Sequence, residues 1–381
     1  MIDKPSSPNR VLHVIGAMDR GGAETLIMNV YRAIDRSRTQ FDFLVHEQRE
    51  CDYDSEIESY GGKIYRIQRF LGPNLVSYVR KCRKFFEAHH NYCAVHVHIG
   101  SCAPIVITQA HRYGLFVIAH SHRTDAPLSF SSCLYKLATF PIRFLADYFL
   151  ACSEQAGVDG FGKRVAGSDS FRVFRNGIDT DQYLFNLELR NELRAELGVD
   201  DSTIVLCHIG RFATEKNHKF LIDIFSNWLQ VAPQSVLVLV GRGPLELDTR
   251  QKVESLGIGD KVHFLGIRSD VPSILMAADL FLFPSIYEGF GIAAVEAQAT
   301  GLPCVISDTV PEIASLLPTT IQMSIDESPC VWSKAGIKLL NMRQCYDRRN
   351  CSRRVRELGF DINDIAQELI SLYVTHQMMA E

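Results

Sequence analysis

Short runs of apolar residues alternate with helix-like segments along almost the whole chain. The runs are continuously apolar, which is typical of parallel strands covered on both faces. In the first half of the chain they predict strands at Val11–Ile15, Asp42–Val45, Val95–Ile99, Leu115–Ala119 and Tyr148–Ala151. In the second half they predict strands at Ile204–Ile209, Ser235–Val240, Val262–Leu265, Leu280–Phe283 and Cys304–Ile306.

The segments between these runs have the apolar spacing of amphipathic helices. Alternating strands and helices indicate parallel sheets joined by right-handed crossovers. The pattern restarts near Ile204 after a polar stretch at 176–201. We therefore predict an α/β fold with two Rossmann-like domains, residues 1–180 and 181–360. A last helix is predicted within 361–381, and its pattern alone does not reveal the domain to which it belongs.

Length and composition agree with two globular domains. The 381 residues exceed one ordinary core, and 46% hydrophobic with 22% charged residues is a soluble balance. A net charge of −4 gives no electrostatic reason to expect nucleic acid as a partner. The 11 cysteines are scattered without a C-x-x-C pair, so we expect neither a zinc ribbon nor a redox motif, and a cytoplasmic location. We expect no signal peptide and no transmembrane helix.

The first candidate site follows the predicted strand Leu280–Phe283. Glu288 lies in the loop after this strand, and Glu296 lies on the predicted helix that follows. Open α/β sheets bind ligands at the carboxyl ends of their strands. A loop carboxylate there can accept hydrogen bonds from ligand hydroxyls. Gly289 and Gly291 allow backbone N–H groups to approach an anion at the start of the helix.

Other glycine-containing loops follow predicted strands in the same way. After Ile204–Ile209, the residues Gly210, Arg211 and Lys216 offer a planar fork and a mobile point charge, which could clamp a diphosphate. Near the N-terminus, Gly21 and Gly22 open a predicted helix. They are equally compatible with a phosphate- or sugar-binding loop and with a simple tight turn.

Two further loops in the second half have weaker signals. Gly241 and Gly243 permit close backbone approach after the strand Ser235–Val240, but they serve a plain turn equally well. Arg268 follows the strand Val262–Leu265 and could contact a nucleobase, although a surface turn is the commoner explanation.

Four histidines lie near the ends of two predicted strands in the first half: His96, His98, His120 and His122. Residues two apart on a strand face the same way, so the His-x-His spacing could suggest zinc. Asp125 is the only acidic residue nearby in sequence, and nothing completes a ligand set. We favour a histidine that contacts a ligand hydroxyl, and we expect no metal.

Together these motifs resemble glycosyltransferase family 4, a family of retaining enzymes with the GT-B fold. The resemblance extends over residues from about 10 to 375, and it rests on the combination of motifs. It is carried by Glu288 and Glu296, Gly210-Arg211 with Glu215-Lys216, Gly21-Gly22-Ala23-Glu24, and Asn176-Gly177-Ile178-Asp179. The stretch His120-Ser121-His122 is similar to that of capsular and exopolysaccharide enzymes. The GT-B fold implies two domains facing across a cleft and a C-terminal helix that returns to the first domain.

The resemblance also implies residue roles. Glu288 would lie near the donor sugar, Glu296 would hold ribose hydroxyls, and His120 or His122 would contact the donor sugar. Arg211 and Lys216 would stabilise the diphosphate leaving group without a metal. The residues implied to bind the nucleotide or its phosphates are Gly21, Gly22, Gly210, Arg211, Lys216, Arg268 and the backbone of Phe290, Gly291 and Ile292.

The expected function is transfer of a sugar from a nucleotide-diphosphate donor to a glycan or polyprenyl-diphosphate-linked acceptor. We expect a UDP-sugar, with a GDP-sugar as the alternative donor, and no cofactor. We also expect front-face transfer with retention of configuration, since no dedicated nucleophile is identifiable. The alternatives are a non-catalytic nucleotide-sugar-binding protein and an epimerase of the same fold.

Segments 127–147 and 78–86 could dock at the cytoplasmic face of the inner membrane. Alternatively, they form an ordinary core helix pair and a solvated helix face.

Overall fold

A computed structural model describes residues 8–98, 100–122, 130–342 and 347–380, without the side chains of 130–132 and 376–380. The chain divides into two compact units. The first domain comprises Met1–Gly177 and Ile362–Glu381, and the second domain comprises Ile178–Asp361.

The first domain is built on a parallel sheet of seven strands in the order β3-β2-β1-β4-β5-β6-β7. Its strands are β1 (Asn9–Ile15), β2 (Thr39–Val45), β3 (Ile64–Arg66), β4 (Ala94–Val97), β5 (Val117–Ser121), β6 (Tyr148–Ala151) and β7 (Phe171–Val173). The helices between them are α1 (Gly22–Ala33), α2 (Asp54–Ser59), α3 (Leu75–Ala88), α4 (Ala103–His111), α5 (Phe130–Thr139), α6 (Ile142–Leu145), α7 (Glu154–Phe161) and α8 (Lys163–Ala166).

The second domain repeats this plan with a parallel sheet of six strands in the order β10-β9-β8-β11-β12-β13. Its strands are β8 (Ile204–Ile209), β9 (Ser235–Val240), β10 (Val262–Gly266), β11 (Leu280–Phe283), β12 (Cys304–Ser307) and β13 (Thr320–Met323). Its helices are α9 (Leu187–Glu196), α10 (His218–Leu229), α11 (Glu246–Ser255), α12 (Val271–Ala277), α13 (Ile292–Ala299), α14 (Pro329–Met342) and α15 (Cys351–Val355). The order reverses between β8 and β11, as it does in doubly wound folds.

The last helix, α16 (Ile362–Ala380), belongs to the first domain. Its side chains Ile365, Leu369 and Tyr373 are buried in the same core as Val11 of β1. The expectation that the C-terminal helix returns to the first domain is therefore confirmed. Among the described residues, no helix is both long and apolar enough to cross a membrane.

The interior strands agree with the sequence predictions, and three edge strands were missed. These are β3, β7 and β13, which are three or four residues long and only partly buried, so they contain no continuous apolar run. The strand predicted at Leu115–Ala119 is Val117–Ser121 in the structure. It ends two residues later than predicted because His120 and Ser121 pair with Leu150 and Ala151 of β6. Ile99 lies outside the described residues.

The interpretation of 127–147 as an ordinary buried helix pair is wrong for much of its surface. Leu137 of α5 and Phe144 of α6 are 73% and 71% exposed, and Phe140 between the two helices is 48% exposed. Ile142 alone of α6 is buried. Residues 127–129 of this segment lie outside the described chain.

Candidate active site

An ion pair joins the loops that follow β8 and β11. Lys216 Nζ lies 2.5 Å from Glu288 Oε1, and the two side chains are only 17% and 11% exposed. The ammonium group also lies 4.7 Å from the centre of the Phe283 ring. The two loops are tied through their backbones, since Ile286 N donates to Glu215 O at 2.8 Å. Lys216 and Glu288 lie in separate loops of the sequence, and the structure brings them into direct contact.

Gly210 makes room for the Lys216 side chain. A Cβ atom at Gly210 would lie 3.2 Å from Lys216 Cδ and 3.0 Å from His208 Nε2. Gly241, at the end of β9, packs on the backbone of Gly210 and adopts a φ of +134°, which disfavours other residues. Both glycines therefore serve the close packing of neighbouring loops at this edge.

Arg211 differs from Lys216 in its surroundings. Its side chain is exposed, and its guanidinium forms no hydrogen bond or ion pair with the described residues. The loop thus presents one cation held by a carboxylate and one that can reach an anion without first breaking an ion pair.

The start of α13 has no side-chain cap. Gly291 caps the helix with a φ of +87° and provides no side-chain cap for the N–H groups of the first turn. Phe290 is 3% exposed, and its ring packs 5.9 Å from that of Phe360, so only its backbone can face a ligand. Ile292 is the first residue of the helix. Uncapped N–H groups and the helix dipole favour negative charge here.

Glu296 lies one turn further along α13. Burial raises its pKa to about 7, and a hydrogen bond from Tyr183 opposes that shift. The Tyr183 hydroxyl donates to Glu296 Oε1 at 2.8 Å. Tyr183 precedes α9 and has no motif around it, so its role was not predictable from the sequence. Ser285 was also not predicted as a site residue, and its hydroxyl is buried without a partner among the described residues.

Arg268 is engaged by acidic side chains. Its guanidinium donates to both carboxylate oxygens of Asp270 at 2.8 and 2.7 Å, and to Glu196 at 2.9 Å. A contact between Arg268 and a nucleobase stays a prediction, and it would compete with these ion pairs.

In the first domain, Gly21 and Gly22 begin α1. Gly21 is the residue before the helix, with extended backbone, and the Glu24 carboxylate folds against it. Burial raises the pKa of Glu24 to about 7, and the nearby Asp19 adds a smaller increase. A phosphate at this loop would meet a carboxyl group whose raised pKa makes it easier to protonate than an ordinary glutamate.

Five histidines lie on β1, β4 and β5 or directly after β4 and β5, and they form two hydrogen-bonded rows. In the first row, His13 Nδ1 lies 2.9 Å from His98 Nε2, and His98 Nδ1 lies 2.8 Å from His122 Nε2. In the second, the Tyr373 hydroxyl lies 2.6 Å from His96 Nδ1, and His96 Nε2 lies 3.1 Å from His120 Nδ1. We call these the histidine rows.

The histidine rows are neutral at physiological pH. Burial lowers the pKa of His13 to about 3 and that of His122 to about 4. It lowers the pKa values of His96, His98 and His120 well below the ordinary value of 6.5. His13 and Tyr373 were not named from the sequence, although His13 is a polar residue inside the apolar run of β1.

The same imidazoles are the place in the described chain where a divalent transition metal could bind. One nitrogen from each of His98, His120 and His122 lies within 4.8 Å of the others, and the same holds for His13, His96 and His98. Neutral imidazoles are preferred ligands of Zn²⁺. Most of these nitrogens already bond to one another or to Tyr373, and a metal would have to displace those contacts.

Comparisons with known proteins identify the family of the chain. Residues 20–182 match the model of Glycosyltransferase Family 4, and residues 190–350 match that of Glycosyl transferases group 1. The Bacillus subtilis (strain 168) protein "Putative glycosyltransferase EpsF" is 32% identical over 373 residues, which are 97% of each chain. The Escherichia coli UDP-Gal:alpha-D-GlcNAc-diphosphoundecaprenol alpha-1,3-galactosyltransferase is 32% identical over 139 residues, 36% of each chain.

The solved structure of Anabaena Alr3699/HepE in complex with UDP and glucose has the same fold. It superposes with a TM-score of 0.80 at 20% identity, covering 96% of this chain and 100% of that one. The two family models, the full-length relative and the shared fold agree with one another. The chain therefore belongs to glycosyltransferase family 4 and has the GT-B fold.

Proposed function

We propose that this glycosyltransferase moves a sugar from a UDP-sugar to a glycan or polyprenyl-diphosphate-linked acceptor, with retention of configuration and without a metal. The observation that carries the proposal is the Lys216–Glu288 ion pair beside the uncapped start of α13. A poorly exposed ammonium group, an exposed guanidinium and the N–H groups at a helix start are the donors that a departing diphosphate needs.

Lys216 and Arg211 would share the charge that develops on the leaving group. Lys216 is already held by Glu288, so it is oriented before the donor binds. Such preorganised donors act most strongly where water is excluded. Arg211 is exposed and would close on the diphosphate once the donor is in place.

The same ion pair supports front-face transfer. The acceptor oxygen would bond to the anomeric carbon on the face from which the β-phosphate oxygen departs, and the acceptor proton would pass to that oxygen. A double displacement needs a free carboxylate nucleophile instead. Glu288 is a poor candidate for that step because its charge is balanced by Lys216 at 2.5 Å. Glu288 would accept hydrogen bonds from donor sugar hydroxyls, and Glu296 from the ribose.

The donor base and the acceptor are proposed from the relatives. The E. coli relative is named for UDP-Gal and a diphosphoundecaprenol-linked acceptor, and the HepE structure holds UDP and glucose. By analogy we propose a UDP-sugar and a lipid-linked acceptor in surface polysaccharide synthesis. This role would bring the protein to the cytoplasmic face of the membrane that carries the acceptor.

The first experiment measures release of free nucleotide from UDP-glucose, UDP-galactose, UDP-N-acetylglucosamine and GDP-mannose, with and without EDTA. A transferase is expected to hydrolyse its own donor slowly in the absence of acceptor, whereas a nucleotide-sugar-binding protein only binds it. We expect release from at least one UDP-sugar, unaffected by EDTA. Loss of activity with EDTA would contradict metal independence, and no release from any donor would favour the non-catalytic alternative.

The second experiment removes the proposed leaving-group cation. Lys216→Ala is expected to lower turnover by ~10²–10³-fold, because it removes a donor to the transition state. Lys219→Ala is the matched control: Lys219 lies three residues away, is 64% exposed and contacts Asp248 at 3.6 Å. Equal turnover of the two variants would contradict the proposed role of Lys216.

A further inference from the structure

The row His13–His98–His122 constrains which nitrogen of each ring carries its proton. A neutral imidazole has one N–H and one lone pair, and each contact in the row needs one of each. The N···N distances of 2.9 and 2.8 Å are those of hydrogen bonds. The three rings must therefore adopt their tautomers together.

Only two arrangements satisfy both hydrogen bonds. In the first, His13 Nδ1–H donates to His98, and His98 Nδ1–H donates to His122, so His122 carries its proton on Nδ1. In the second, every proton sits on Nε2, and the N–H without a partner is that of His13. The atoms left over are His13 Nε2 and His122 Nδ1, and neither has a partner among the described residues.

The surroundings of the two ends favour the first arrangement. His13 is 1% exposed, and its ring lies 4.3 and 5.6 Å from the rings of Phe41 and Phe43. A buried N–H without an acceptor is less tolerable than an unused lone pair. His122 Nδ1 is also buried, but the His122 side chain as a whole is partly exposed and follows the last residue of β5, so a rotation of the ring can bring an N–H there to a ligand or water.

We propose that His98 and His13 are positioning residues that hold His122 in the tautomer with the proton on Nδ1, ready to donate to a hydroxyl or phosphate oxygen of a nucleotide sugar. The inference rests on the proposed function for the identity of that ligand. It favours His122 over His120 as the sugar-contacting histidine, because His120 is 5% exposed and packs against Phe174.

The first test needs no substrate. In protein with ¹⁵N-labelled histidine, ring nitrogens with and without a proton resonate in separate ranges, and variants His13→Gln and His122→Gln assign the signals. We expect His122 to carry its proton on Nδ1 at pH 7. A proton on Nε2, or a doubly protonated ring, would overturn the proposal.

The second test uses two variants of His98, each of which keeps only one of its two hydrogen bonds in the row. In His98→Asn the amide nitrogen can take the place of Nδ1 and still donate to His122. In His98→Gln the amide takes the place of Nε2, so the contact with His13 is kept and that with His122 is lost. Gln is closer to His in volume, so a role in packing alone would favour Gln. The proposal predicts the opposite order.

We expect His98→Gln to lower kcat roughly 10- to 100-fold with a smaller change in KM for the donor, since a buried hydrogen bond that orients a donor group is lost. His98→Asn should stay within about 3-fold of the parent protein. Circular dichroism and binding of UDP check that both variants are folded. Equal loss in both variants, or a larger loss in Asn, would overturn the proposal.

The outcomes separate this inference from the proposed function. If the unaltered protein transfers no sugar from any donor, the proposed function fails, and the NMR measurement alone decides the inference. His98→Gln should then still remove the preference of His122 for the Nδ1 proton, while His98→Asn keeps it. If transfer is observed and the tautomer is the other one, the inference fails and the proposed function stands.

Discussion

The surroundings of the Glu296 carboxyl group shift its pKa in two opposite directions. Burial raises its pKa from 4.5 to about 7, and the Tyr183 hydroxyl limits the rise. The folded state therefore binds this proton more tightly than the unfolded state does. The resulting stabilisation is fully present below pH 4.5 and is lost as the pH rises through about 7. Above neutral pH the second domain carries a buried charge without a cationic partner among the described residues.

The first prediction concerns this charge. Glu296→Gln should make the second domain more stable than the parent protein by about 1–3 kcal/mol at pH 8.5, and no more stable at pH 5. Urea unfolding followed by tryptophan fluorescence measures it, because both tryptophans, Trp228 and Trp332, lie in the second domain. The exposed Glu312→Gln is the control. An equal effect of Glu296→Gln at both pH values would contradict the raised pKa.

Gly291 shows how one backbone conformation supports the start of α13. Its φ is +87°, and a Cβ atom would lie 3.0 Å from Val310 Cγ1. Gly257 has a φ of +67°, and a Cβ atom there would meet nothing within 4 Å. A substitution at Gly257 therefore isolates the cost of the dihedral angle from that of the contact.

We predict that Gly291→Ala destabilises the second domain by more than Gly257→Ala, for which the left-handed backbone alone costs about 1–2 kcal/mol. Gly291→Ala should also weaken UDP binding, whereas Gly257→Ala should not. Urea unfolding and calorimetry measure the two effects. Unchanged UDP affinity in Gly291→Ala would argue against an anion site at α13.

At the scale of the element, α5 and α6 expose apolar side chains to solvent. Leu137 and Phe144 are more than 70% exposed, and Arg143 lies over the Phe140 ring at 4.2 Å. Apolar side chains mixed with cations are typical of surfaces that bind anionic lipid. The basic side chains of α3 are also exposed, as the solvated-face interpretation expects.

Flotation with vesicles that contain anionic lipid tests this surface. We expect the protein to float, and Leu137→Gln combined with Phe144→Gln to reduce the bound fraction, because less apolar area enters the interface. Val231→Gln combined with Leu247→Gln is the matched control, since both side chains are exposed and lie in the second domain. No flotation of the parent protein would contradict membrane docking.

At the scale of the whole molecule, the two domains contain different sets of histidines whose pKa values burial lowers. The first domain contains the histidine rows, whose pKa values are lowered by burial. In the second domain burial lowers the pKa of His208 well below 6.5, that of His218 to about 4, and that of the half-buried His263. Groups with lowered pKa values take up protons on unfolding, so their stabilisation is lost as the pH falls below about 6.5.

We predict that the first domain unfolds at a higher pH than the second on acidification. Each buried histidine that stays neutral in the folded state lowers the free energy of unfolding by about 2 kcal/mol between neutral pH and pH 5. Glu24 and Glu296, whose pKa values are raised, offset part of this, one in each domain. Far-UV circular dichroism should change before tryptophan fluorescence, which reports on the second domain. Coincident transitions, or fluorescence changing first, would contradict the prediction.

The sequence determined the arrangement of strands and helices and the loops that carry the candidate chemistry. Interior strands such as β8, β9 and β11 were predictable because burial on both faces imposes continuous apolar runs. Glycines and charged residues just after those runs marked the loops at the carboxyl edge. The short edge strands were not predictable, because a half-exposed strand needs no such run.

Only the tertiary structure decided which side chains meet. Lys216 and Glu288 are 72 residues apart in the chain and form one ion pair, and His96 bonds to Tyr373 across 277 residues. The His120–Ser121–His122 stretch pointed to a ligand, but its histidines bond to His96 of β4 and to His98 directly after it. The network continues to β1 and α16. Local patterns follow from the periodicity of one strand or helix. Pairing and pKa depend on burial and on neighbours that the folded chain brings together.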